Sequence, residues 1–136
     1  MLRKKIKYVD FNDVEREEEF YFNLSKAELM EMEFGTVGGF SEMVKRIVAA
    51  QDQPTLMQIF KEFILKAYGE KTADGKHFMK FDAAGNRLSA NFEQTEAYSV
   101  LYMELLTDAN AASDFINGVV PADIAKQAAA NPVALN

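Results

Sequence analysis

The stretch KKIKYVDFNDVEREEEFYFNL, Lys4–Leu24, alternates charged with apolar side chains around Asn12-Asp13, and its pairing decides how the chain begins to fold. Period-two alternation is the mark of a half-buried strand and Asn-Asp favours a turn, so residues 3–24 are expected to form a β-hairpin. Two registers compete. A two-residue loop on Asn12-Asp13 sets Ile6 opposite Glu19 and Tyr8 opposite Glu17, which mixes the faces. A three-residue loop from Phe11 to Asp13, with Asp13 left-handed, puts Lys7 opposite Glu17 and Lys5 opposite Glu19. It also keeps Ile6, Tyr8, Phe20, Phe22 and Leu24 on one face, because only registers of this parity segregate them. The second register is preferred. Much of the acid in the stretch then becomes the solvent face of the second strand, answered across the ladder by the basic strand, and needs no ligand to explain it.

Beyond the hairpin the signals are helical. Ser25 and Glu28 make a capping box, SKAE, opening a helix from Lys26 to about Phe34. GTVGG breaks it, with Gly35, Gly38 and Gly39 free to take positive φ. A second helix is expected from about Ser41 to Ala50, carrying Phe40, Met43, Val44, Ile47 and Val48 as an apolar stripe. Asp52 and Pro54 start a third, roughly Pro54 to Tyr68, with Gly69 closing it as a C′ residue. Residues 70–92 are the least regular, with turn signals at Asp74-Gly75 and Gly85-Asn86 around a single short strand or extended piece. A fourth helix is expected from about Phe92 to Thr107 and a fifth from Ala109 to Asn117, closed by Gly118. Pro121 opens a last segment, PADIAKQAAA, before NPVALN trails off. The expected architecture is mainly α (α+β): an N-terminal β-hairpin followed by a bundle of five to six short helices. Residues 1–120 are expected to be a single globular domain and 121–136 a weakly attached helix or tail.

Composition excludes more than it assigns. A chain of 136 residues is long enough for one domain with a sizeable core, and 49% hydrophobic with 26% charged residues is ordinary for a globular protein. The absence of cysteine excludes disulfides and thiolate metal sites, which fits a reducing cytoplasm. No apolar run approaches a membrane span, and MLRKKIKYVDF has no apolar stretch of the signal-peptide kind. With 21 acids against 15 bases and a net charge of −6, the chain should repel phosphate backbones. Neither nucleic acid nor membrane is expected as a partner.

Catalytic templates fail one after another. The single histidine, His77, sits in the DGKHF turn and reads as a surface residue rather than a general base. One imidazole and no thiol cannot build the usual zinc sets, and TADGKHFMKFDAAGNR lacks the acid ladder of a calcium loop. The TVGG glycines do not match a phosphate-binding pattern. No cofactor and no enzymatic activity are expected. Seven methionines are the unusual feature. Each reads first as core filler, but thioethers also suit surfaces that grip apolar partners of variable shape. Met30 and Met32 lie two apart and cannot share a helix face, so one of them, with Phe34 and Phe40 nearby, is expected to leave apolar surface exposed beside the glycine hinge. The candidate partner-binding residues are Met30, Met32, Phe34, Phe40 and Met43.

Several segments in order carry a family likeness: IKYVDFNDVEREEEFYFNLSKAELMEME, GGFSEMVKRIVAAQD, FKEFILKAYGEKTADGKHFMK, QTEAYSVLYMELLTD and FINGVVP. Together they cover roughly residues 5 to 121 and resemble the tail assembly chaperones of tailed bacteriophages that infect Gram-positive hosts. The resemblance implies a non-enzymatic protein of the host cytoplasm, absent from the finished virion, that binds the tape-measure protein and assists tail-tube assembly. It extends to the tail-tube protein and a frameshifted longer form of the same chain as further partners, and it is compatible with a homo-oligomer. A structural tail-completion or tube-associated virion protein is the alternative reading. Two positions depart from the family pattern: Asp13 stands where the hairpin turn has glycine, and Phe81 to Asn91 is unlike the expected stretch. The resemblance supplies no catalytic residues and no contact residues.

Overall fold

β1 (Leu2–Val9) and β2 (Glu15–Phe22) pair antiparallel with Lys5 opposite Glu19 and Lys7 opposite Glu17, the register of the three-residue loop. Asp13 supplies the left-handed residue at φ 60°. Asp10 locks the turn: its Oδ1 accepts from the amides of Asn12 (2.8 Å) and Val14 (3.0 Å), and its Oδ2 accepts from Arg16 Nε at 2.5 Å. The Arg16 guanidinium, followed by the Val14 and Asn12 amides, holds the Asp10 carboxyl below its ordinary pKa. Leu2, Ile6, Tyr8, Phe20 and Phe22 share the inner face. So do three charges that parity alone places there, Lys4, Arg16 and Glu18. Glu18 accepts from the Tyr8 hydroxyl, and Lys4 reaches Glu104 at 3.0 Å. Lys5 and Lys7 face their expected glutamates but close no ion pair among the described residues.

The computed structural model describes residues 1–35 and 38–121, and for Phe40, Ser41, Val44 and Val48 the backbone alone. Of residues 121–136, expected as a weakly attached helix or tail, 122–136 lie outside the described residues. Element order after the hairpin is α1 (Lys26–Phe34), α2 (Phe40–Ala49), α3 (Gln53–Ala67), β3 (Tyr68–Lys71), β4 (Phe78–Met79), α4 (Ser89–Glu93), α5 (Glu96–Thr107) and α6 (Ala109–Val119).

The sheet has four strands in the order β1-β2-β3-β4, so the fold is a mixed α+β arrangement rather than helices behind a lone hairpin. The difference begins at Gly69. The helix before it does not stop in a glycine cap. Tyr68 turns extended (φ −61°, ψ 139°) and the chain runs directly into β3, pairing Phe22 with Tyr68 and Tyr21 with Gly69. Glycine is required there because a Cβ would stand 2.5 Å from the Phe78 ring and 2.8 Å from the Met79 carbonyl. A turn at Asp74-Gly75 returns the chain as β4, and a second turn through Gly85 closes on a bridge between Phe81 and Arg87. The single extended piece expected there is therefore two strands and a bridge.

Three further boundaries differ from expectation. The fourth helix is split, because the Thr95 hydroxyl donates to the Phe92 carbonyl (2.7 Å), ending α4, and accepts from the Tyr98 amide (3.3 Å), opening α5. Gly118 lies inside α6 rather than after it. It is a packing gap, since a Cβ would meet Leu2 Cδ1 at 2.8 Å. Gly35 is right-handed (φ −77°), and the positive φ angles fall on Gly38 (79°) and Gly39 (90°) instead.

The core lies between the inner sheet face and α3 to α6. Phe22 is its centre, with ring centroids of Phe115, Phe92 and Tyr68 at 5.1, 5.7 and 5.9 Å, and Tyr68 stacks on Phe92 at 4.4 Å. Leu24, Ile64, Leu101 and Val119 are likewise sealed from solvent. Each large apolar side chain so buried contributes roughly 1.5–3 kcal/mol.

Candidate functional site

The capping box at the start of α1 is complete: Ser25 Oγ accepts from the Glu28 amide (3.1 Å) and Glu28 Oε1 accepts from the Ser25 amide (3.0 Å). The other carboxylate oxygen receives Lys80 Nζ at 3.0 Å. That ammonium also donates to the carbonyls of Asn23 (2.9 Å) and Lys66 (2.5 Å), so one side chain ties the segment after β4 to the start of α1 and the last turn of α3. Burial pushes the Lys80 pKa down, more than Glu28 raises it. For Glu28, burial acts upward, but the Ser25 amide and Lys80 outweigh it and the carboxyl lies below its ordinary value. The contact therefore stabilises the carboxylate without recovering the full cost of burying the ammonium.

This polar clamp orients a helix that buries no residue. Leu29 and Met32 pack against the core from one side of α1. Met30 and Phe34, four apart and on the other side, are 55% and 78% exposed. The expected conflict between Met30 and Met32 is thus resolved with Met32 inward and Met30 outward. Met32 and Met43 come together with Ile59 and Phe63 in a cleft of about 360 Å³ between α1, α2 and α3, rimmed by Glu31, Glu62 and Lys66. Of the five candidate residues, Met32 and Met43 line the cleft, and Met30 and Phe34 form an exposed ridge on the opposite side of α1. Phe40 opens α2, and its side chain lies outside the described residues. The other methionines are poor core filler: Met57, Met79 and Met103 are all exposed.

Chemistry elsewhere is sparse. His77 is exposed in the β3–β4 turn, where its backbone pairs with Thr72. Among the described residues no group of three or more His, Asp or Glu is placed to hold a metal ion. No helix among them is long and apolar enough to cross a membrane.

A family model described as phage tail assembly chaperone matches residues 1–134. The chain belongs to that family. No curated protein and no solved structure matches it. For a tail assembly chaperone the relevant surface is one that meets another protein, and the α1 ridge with its cleft offers methionine and phenylalanine without a fixed polar pattern. The residue that sequence reasoning missed is Lys80. A signal was present: Phe78 and Lys80 share strand parity, so an inward Phe78 puts a lysine on the inward side as well.

Proposed function

We propose that this tail assembly chaperone binds an apolar helical segment of the tape-measure protein along the Met30–Phe34 ridge and the Met32–Met43 cleft. The observation that carries the reading is apolar surface on both sides of α1, exposed Met30 and Phe34 on one and the Met32–Met43 cleft on the other, on a helix with no fully buried residue. Flexible thioethers adapt to a succession of helical faces, which suits a long client of varied sequence. Glu31 and Glu33 beside the ridge and the net charge of −6 keep the complex in solution. On this reading the protein acts in the host cytoplasm and leaves before the virion is complete. The tail-tube protein and a frameshifted longer form of the chain join the same assembly.

The test is co-expression of the tape-measure protein with the wild-type chain and with a Met30→Ser, Phe34→Ser, Met43→Ser variant. The variant should purify folded and fail to keep the client soluble. Undiminished rescue would remove this surface from consideration. Mass spectrometry of purified particles separates chaperone from structural component, since a stoichiometric amount in mature tails would favour the structural role.

A further inference from the structure

β1 is an edge strand of eight residues, and its free side carries no backbone hydrogen bond among the described residues. Which groups lie free follows from the ladder. The Asp10 amide donates to the Val14 carbonyl (2.9 Å), and on the far side of β2 the Asn23 amide donates to Ala67 (2.8 Å). Antiparallel bonding alternates, so Leu2, Lys4, Ile6 and Tyr8 bond to β2, while the amides and carbonyls of Arg3, Lys5 and Lys7 point away from the sheet. Their side chains share the outer face.

The charge on this edge is unlike the rest of the chain. Residues 1–9 contain Arg3, Lys4, Lys5 and Lys7 and no acid, within a protein of net charge −6. Lys4 is taken by Glu104, and Arg3 lies 6.0 Å from the Tyr21 ring centre. Lys5 and Lys7 remain without an ion pair among the described residues, although Glu19 and Glu17 stand opposite. Behind the edge, α5 packs against β1. Val100, one turn before Glu104 on the same helix face, is 39% exposed, and Met103 is 54% exposed.

We propose that the free edge of β1 accepts an extended segment of a protein partner in which acidic residues alternate with apolar ones. A strand added antiparallel places its residues opposite Arg3, Lys5 and Lys7 on the outer face, which calls for acids at i, i+2 and i+4. The intervening residues turn toward the α5 side, where Val100 is available. β2 already meets the other flank of β1 in this way, with Glu17 and Glu19 opposite Lys7 and Lys5. A second copy of β1 is the wrong occupant, because it would set two basic rows side by side. Main-chain bonds supply the attachment and the lysines supply the selectivity. The surface is separate from the α1 ridge, and the inference does not depend on the client proposed above.

The test uses the full chain, isotopically labelled, and a short synthetic peptide alternating Glu with Val and Thr, with a control peptide carrying Lys in place of Glu. The Glu peptide should bind and slow amide exchange at Arg3, Lys5 and Lys7 while leaving Lys4 and Ile6, already bonded to β2, unchanged. Lys5→Glu with Lys7→Glu should weaken binding at least about tenfold, and added salt should weaken it for the wild type. Lys5→Pro removes only an outward amide, which an edge strand tolerates, and should abolish the protection. Circular dichroism checks each variant, and if Lys5→Pro fails to fold the charge reversal decides. Equal binding of the two peptides, no binding of the Glu peptide at about millimolar concentration, or protection outside β1 would each overturn the proposal.

Discussion

α5 and α1 are both short helices rich in apolar residues, yet α5 fully buries Ala97, Leu101 and Leu105 whereas α1 fully buries none and only rests Leu29 and Met32 on the core. Apolar contact holds the first in place. The second adds to the half-buried Leu29 and Met32 a set of hydrogen bonds at its N-terminus, through Ser25, Glu28 and Lys80, and shows Met30 and Phe34 to solvent. Apolar side chains thus do two jobs in one chain: around Phe22 they make the fold, and on α1 they are left over from it. Surplus apolar surface costs solubility, and on α1 it is the surface the proposed client contact uses.

That contrast can be broken most severely in the aromatic half. Phe22→Ala removes the ring that Tyr68, Phe92 and Phe115 surround and should cost about 3–5 kcal/mol in denaturant unfolding. Gly69→Ala drives a methyl into Phe78 and the Met79 carbonyl, and a loss of about 1–3 kcal/mol is expected from the same measurement. Replacing the clamp sharpens the comparison from the other side. Lys80→Met leaves the Asn23 and Lys66 carbonyls and the Glu28 carboxylate without this donor, with an expected cost of about 1–3 kcal/mol. Its effect on hydrogen exchange should be concentrated in α1 and sparing of α5.

The clamp also has a pH signature. Because the Glu28 pKa is lower in the folded chain than its ordinary 4.5, its stabilisation is present above that value and lost as pH falls through the folded value. Melting temperature should drop across this acid window, and Glu28→Gln should flatten that part of the profile. The smallest effect on stability belongs to Met30→Ser with Phe34→Ser, within about 0.5 kcal/mol per site, since neither side chain is buried.

What the sequence made legible was local. The hairpin register followed from parity, and α1 began and ended where the capping box and the GTVGG break placed it. The split at Thr95 had a local signal too, a capping residue followed by Glu96, but the apolar spacing running through it read as one helix. Gly69 and Gly118 could not be read from their neighbours, because each is glycine on account of a side chain distant in sequence, Phe78 in one case and Leu2 in the other. At the candidate site, spacing required Met30 and Met32 to part. Only the packing of α1 on the core settled which of them faces outward.

The central claim is that α1 and its cleft are the surface a client occupies. Methyl-labelled methionine spectra of the full chain, recorded with and without a soluble tape-measure segment, test it most directly. The account predicts shifts at Met30, Met32 and Met43 with Met79 on β4 unmoved; shifts at Met79 with those three unchanged would contradict it.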